Sequence, residues 1–336
     1  DYSVEYQQYD MDVGGAGTGN FSISDAELAR IVDGFSSVTI GRQDSSAPLN
    51  IVSNISNIND PFVFTTGGQL NINNQVNGNS NDASISFVAP TGVINLNNVV
   101  TTKGQRILFS GSVNVGGSGG TINTTGLAGV VVAGGPNDFT SSGWAVSGTQ
   151  VLTLDAGTNG VITSNTAINM AGGNSGLTIT NCGGATFNQA VIVGGDVIIT
   201  QALDNSTIAF NSNLSTRSIQ TAAGAYNLSL LNGGSITQQT TLNNTGIITI
   251  GDAANDIFTF NGGLTATQGT VNLAGNISTV NNQMSFGNVN LTANTALVTG
   301  SNTINMNGNV TGLAGVKLSL QNSLSTGNAT IAGDLT

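Results

Sequence analysis

From about residue 35 to the end, the sequence keeps returning to one short unit. An apolar residue, a spacer, a second apolar residue and a spacer are followed by Gly or Asn, with another apolar residue soon after. Leu70-Asn71-Ile72-Asn73-Asn74, Val93-Ile94-Asn95-Leu96-Asn97, Ile107-Leu108-Phe109-Ser110-Gly111 and Val151-Leu152-Thr153-Leu154-Asp155 are early instances. Phe258-Thr259-Phe260-Asn261-Gly262, Val271-Asn272-Leu273-Ala274-Gly275, Met284-Ser285-Phe286-Gly287 and Ile304-Asn305-Met306-Asn307-Gly308 are later ones. Period-two alternation closed by turn residues is a strand signal. The intervals between the later units, which begin at Phe258, Val271, Met284, Ile304 and Leu318, are unequal, so the repeat is real but degenerate.

A β-solenoid tolerates this kind of degeneracy. Each coil lays two or three inward side chains per strand on those of the coil below, so an inward position need only be apolar and of fitting size. Corners favour Gly and Asn because the backbone there visits positive φ. A coil of about 20 to 29 residues predicts about 10 to 15 coils over residues 35–336. A sandwich array would need more aromatic core than the 5% present, and a propeller would need a regular blade motif. The 47 glycines with only 4 prolines and no G-X-Y period exclude collagen.

The first 22 residues are predicted to form an extended segment. Tyr2, Val4 and Tyr6 alternate on one face, and Tyr9, Met11 and Val13 continue on the opposite parity. Residues 23–34 carry the one helix pattern: Ser24 and Glu27 are spaced as a capping box, Ile23 and Leu28 as a hydrophobic staple, and Gly34 as a terminator. A short helix placed there would cap the first coil, which otherwise exposes a strand edge. The expected organisation is therefore an extended segment over 1–22, a capping helix over 23–34 and a parallel β-helix region over 35–336. A first residue of Asp1 rather than Met, and a strand-like pattern at Ile331–Thr336, give the expectation of a segment of a longer parent.

The repeats resemble those of large bacterial surface proteins, the filamentous-haemagglutinin-like adhesins and the β-strand-repeat proteins of cyanobacteria and related bacteria. The resemblance rests on the Ile304–Val310 style of unit, and on Ser24-Asp25-Ala26-Glu27-Leu28-Ala29-Arg30-Ile31 followed by Val38-Thr39-Ile40-Gly41. It covers about residues 21–336 and implies a secreted, right-handed parallel β-helix at the bacterial cell surface. It transfers no catalytic residue.

Charge and composition narrow the functional classes. The net charge is −11, from 17 acidic and 6 basic residues. Nucleic acid and anionic membrane surfaces need clustered positive charge, and both are poor partners for this chain. No run reaches the ~18 apolar residues of a membrane helix. The absence of histidine excludes histidine triads and histidine-ligated metals. Cys182 stands alone, and a small buried strand side chain is the expectation for it.

Acidic residues in the body, among them Asp60, Asp82, Asp138, Asp155, Asp196, Asp204 and Asp334, are mostly single and widely spaced. Asp252 and Asp256 are the nearest later pair. Asp10 and Asp12 are weak calcium candidates, favoured less than a solvated acidic segment. Val115-Gly116-Gly117-Ser118-Gly119-Gly120 lacks the Lys-Ser/Thr of a phosphate loop and is expected to be a corner. Trp144, the only tryptophan, is expected to pack rather than to stack on a sugar.

The expected function is that of a non-enzymatic extracellular structural or adhesive solenoid, a subunit or segment of a filament, sheath or adhesin. Its expected partner is itself, end to end or by addition of the Tyr2, Val4, Tyr6 and Tyr9 strand to a neighbour's edge. Surface glycans are a further partner class, and no cofactor is expected. The alternative is a polysaccharide-active β-helix enzyme, a lyase or glycosidase. That class requires a groove with at least two carboxylates within about 10 Å. An ice-binding solenoid would need a recurring Thr-x-Thr face, and Thr178-Ile179-Thr180 does not recur in register.

Overall fold

The computed structural model describes residues 9–15, 21–124, 139–141, 146–322 and 327–336. The chain is an all-β parallel β-solenoid of about 12 turns with almost no helix. It divides into two compact units, Asp1–Val161 and Ile162–Thr336.

The described coils have three strand faces, and the pairings among the described residues are parallel. In the first unit one face runs Val38–Arg42, Phe62–Thr66, then the start of Ile85–Leu96. A second face runs Met11–Gly14, Leu49–Ile51, Leu70–Ile72, then the end of Ile85–Leu96. The third runs Ile55–Ile58, Val76–Gly78, Val99–Thr101 and Gly120–Asn123. Four strands (Ile85–Leu96, Ile107–Val115, Val271–Ser278 and Val289–Thr299) pass through the corner between the first two faces. In other coils a turn breaks the chain there.

Alternation within each strand puts one set of side chains into the core. Leu49 pairs with Leu70 and Leu70 with Ile94, and all three are buried. Phe64, Phe87 and Phe109 stack in the first unit with centroids 5.5 and 5.3 Å apart, and Phe187 stacks on Phe210 at 4.8 Å in the second. Such offset stacks add about 0.5–1.5 kcal/mol to the burial of the rings. Cys182 is buried, as expected, but it stands just past the end of Gly176–Asn181 rather than within a strand.

The outward positions between these residues are polar and also stack. Asn50 Nδ2 donates to Asp12 Oδ1 at 3.0 Å, Asn71 to Asn50 at 2.8 Å, Asn95 to Asn71 at 2.6 Å and Asn114 to Asn95 at 3.0 Å. In the second unit Asn211 donates to Asn188 and Asn188 to Asn165. A side-chain amide suits this position because it is both donor and acceptor.

The repeat is irregular in sequence because neighbouring units belong to different faces. Phe258, Val271 and Met284 fall on three different faces, whereas Met284 pairs directly with Ile304, its counterpart one coil on. Within a face of the second unit the step stays near one coil, as from Val191 to its partner Leu214 and from Leu228 to its partner Ile248.

The helix expected over residues 23–34 is reduced to one turn, Asp25–Leu28. The capping box forms: Glu27 N–H donates to Ser24 Oγ, and Ser24 N–H to Glu27 Oε2. Beyond Ala29 the next two amides bond three residues back rather than four. Of the apolar residues Leu28, Ile31 and Val32, which a helix here would align on one face, only Leu28 is buried, and Val32 is 72% exposed. Tertiary bonds compete for the segment. Asp25 accepts from Ser56 N–H and Oγ, and Asp60 Oδ1 accepts from the amides of Gly34 and Phe35. A segment this short has too little intrinsic helicity to resist them.

Close stacking makes some corners glycine-specific. A Cβ on Gly92 would lie 1.7 Å from the Gly68 carbonyl oxygen, whereas one on Gly173 would meet nothing within 4 Å. Gly92→Ala is expected to destabilise the chain measurably in urea titrations, and Gly173→Ala to leave it within about 0.5 kcal/mol. Phe87→Ala removes the middle ring of its stack and is expected to cost about 3–5 kcal/mol. Ser86→Ala, on the outer face of the same strand, should cost under about 0.5 kcal/mol by the same measurement.

Candidate functional site

Three carboxylates from distant parts of the sequence meet in the first unit. Asp33, Asp60 and Asp82 each place an oxygen within 4.8 Å of the others. Asp60 and Asp82 stand just before the paired strands Phe62–Thr66 and Ile85–Leu96, so they occupy one corner in successive coils. Asp33 lies in the irregular stretch between the helical turn and Val38. The intervals from Asp33 to Asp60 and from Asp60 to Asp82 each approximate one coil. That spacing is the signal by which the sequence could have revealed the cluster, yet acids this far apart read as isolated until the register is known.

Asp60 is completely buried, whereas Asp33 and Asp82 are exposed. Asp60 Oδ1 accepts from Gly34 N–H at 2.8 Å and Phe35 N–H at 2.7 Å. Its other oxygen, Oδ2, is buried and accepts no hydrogen bond. Ser80 Oγ lies at hydrogen-bonding distance from Asp82 Oδ1. The ion pairs among the described residues are Arg42–Asp44 and Arg217–Asp196, so no cationic side chain pairs with this cluster.

The acids singled out from sequence are placed as follows. Asp12 is buried and begins the asparagine ladder, while Asp10 is exposed. Neither belongs to the three-carboxylate cluster. Asp256 Oδ2 accepts the amides of Asp252 and Ala253, closing its own turn. Burial, followed by the hydrogen bond and charge of Asp256, raises the Asp252 carboxyl above the usual range. Burial likewise raises Asp155, against the opposing effect of the Gly157 amide. The Val115–Gly120 stretch is a corner, with Gly119 N–H donating to the Gly116 carbonyl. Tyr9 is 54% exposed; Tyr2, Val4, Tyr6, Asp138 and Trp144 lie outside the described residues.

Two sizeable surface pockets of about 750 and 570 Å³ are described. The first is lined by residues such as Tyr9, Phe21, Arg42 and Asp44, the second by Thr200, Gln220, Gln238 and Asn243. Neither contains Asp33, Asp60 or Asp82. The cluster's oxygens are also closer than the ~5–10 Å separating paired glycosidase carboxylates, which must leave room for a sugar or water. Comparison of the chain with protein-family models, curated proteins and solved structures finds no match.

Asp196 serves coil-to-coil cohesion in the second unit. Arg217 Nε and Nη2 donate to its two oxygens at 2.8 and 2.6 Å, and Ser218 Oγ adds a bond of 2.8 Å. The Arg217 hydrogen bond is the leading cause holding the Asp196 carboxyl below its ordinary range. A lowered carboxyl stabilises the fold above its unfolded pKa of about 3.9, and that gain is lost as pH falls through the folded value. Solvent around the partly exposed Arg217 screens the pair, so Asp196→Asn is expected to reduce stability by only about 1 kcal/mol at pH 7. The difference from the parent chain should shrink in urea titrations as the pH falls below the unfolded pKa of about 3.9 and through the lowered folded value.

Proposed function

We propose that this chain is a segment of an extracellular structural or adhesive β-solenoid, serving in a filament, sheath or adhesin at a bacterial cell surface without catalysis. The observation that carries this is the stacking itself, apolar inward and amide-rich outward, repeated through the described coils of both units. It supplies a repeating scaffold, and neither of the two pockets is lined by a pair of carboxylates. The coil is taken to be right-handed, following the strong preference of parallel crossovers.

Self-association is the partner this reading favours. Among the described residues, the strand Phe21–Ser24 pairs on one side only, with Met11–Gly14. Open edges of this kind accept further strands. The single helical turn touches both of these strands and Ile55–Ile58, and is proposed as a partial cap of that end. Exposed apolar side chains stand near both strand-ladder limits: Phe21 and Val32 at one, Leu313 and Leu335 at the other. Met11–Gly14 itself is enclosed between Phe21–Ser24 and Leu49–Ile51, which leaves residues 1–8 as the segment to donate.

Electron microscopy and light scattering of the purified chain are expected to show end-to-end oligomers. Removing residues 1–8, or making Leu313→Lys with Leu335→Lys, should reduce the oligomeric fraction at least tenfold. Monodisperse single particles at every protein concentration would reject self-assembly. Release of unsaturated or reducing-end sugars from polysaccharides would favour the enzyme class instead.

A further inference from the structure

We propose that Asp33, Asp60 and Asp82 form a calcium site that fastens the stretch before Val38 onto the first coils. Two observations converge on it. The first is the meeting of three carboxylates on successive layers, with their oxygens within 4.8 Å of one another. Oxygens sharing one Ca²⁺ at about 2.3–2.6 Å can be at most about 5 Å apart, so this spread fits a single coordination sphere. Magnesium, at about 2.0–2.1 Å and octahedral, requires a tighter set.

The second observation is the state of Asp60. This side chain is completely buried, and Oδ2 accepts no hydrogen bond. A buried carboxylate oxygen lacking a partner is costly unless a proton or a cation is supplied. Asp33 and Asp82 add negative charge beside it, and neither ion pair among the described residues reaches this corner. All three ligands are hard oxygens, and the sequence holds no histidine to favour a transition metal. A divalent hard cation meets each of these conditions.

The proposed site does not depend on whether the solenoid polymerises. Its consequence is local: Asp33 belongs to the irregular stretch, Asp60 and Asp82 to the coils, so calcium would join three layers at one point. The capping turn lies a few residues upstream, with Asp25 already bonded to Ser56.

The test is calorimetric titration of CaCl2 into the full chain and into the Asp33→Asn and Asp82→Asn variants. Both residues are exposed, so neither change threatens the core. The parent chain is expected to bind one strong equivalent with a Kd of about 10⁻⁴–10⁻³ M, the range of extracellular modules. Each variant should bind at least tenfold more weakly, and MgCl2 at least tenfold more weakly than CaCl2. Calcium should also slow trypsin cleavage at Arg30 in the parent chain and not in the variants. No calcium heat up to about 10 mM, far above that range, would overturn the site. So would equal affinity in the parent and an Asp33→Asn, Asp82→Asn double variant.

Discussion

Parallel pairing of each strand with the strand one coil away governs nearly everything else in this molecule. Because register along a face is kept, apart from a shift between Ile55 and Ile58, a side chain pointing inward in one coil lies over an inward side chain in the next, and an outward one over an outward one. Leu49, Leu70 and Ile94 show the inward consequence, and Asn50, Asn71 and Asn95 the outward one. A slip of one residue would exchange the two columns, burying amides and exposing aliphatic groups. The degenerate sequence can therefore specify one register strongly: the penalty for slipping is repeated at every layer.

The same geometry explains how so lightly charged a chain organises its surface. Asparagine stacked on asparagine satisfies donors and acceptors along the axis with no net charge. Serine and threonine hydroxyls reach carbonyls of the previous layer at several corners, as Thr66 does to Ala47 and Thr216 to Gly195. Where charge does enter, layers use it as a specific tie, as between Asp196 and Arg217, or accumulate it at one corner, as with Asp33, Asp60 and Asp82.

Strand alternation and corner chemistry were legible in the sequence, and with them the parallel solenoid. Asn205, Asn232 and Asn281 indeed adopt positive φ. The coil period was harder to see, because Phe258, Val271 and Met284 start similar units on different faces and the eye counts them as one series. The helix over 23–34 was overestimated for a different reason. The capping box is a local signal and it forms, but the continuation depended on Ile31 and Val32 finding a core, and the Asp60 carboxylate from a later coil holds the amides of Gly34 and Phe35 in another path. The three-acid corner was illegible because its members are neighbours only across layers.

One step in the first unit departs from the others. Val113 pairs with Val146, and distinctly more chain separates these two partners than separates Leu70 from Ile94 on the same face. The two strands nonetheless pair in register over residues 113–115 and 146–148. Pairing between adjacent layers is thus kept across intervals of unequal length. That makes the connections between layers natural grafting points, where foreign peptides can be spliced in while the pairing of the flanking strands is kept.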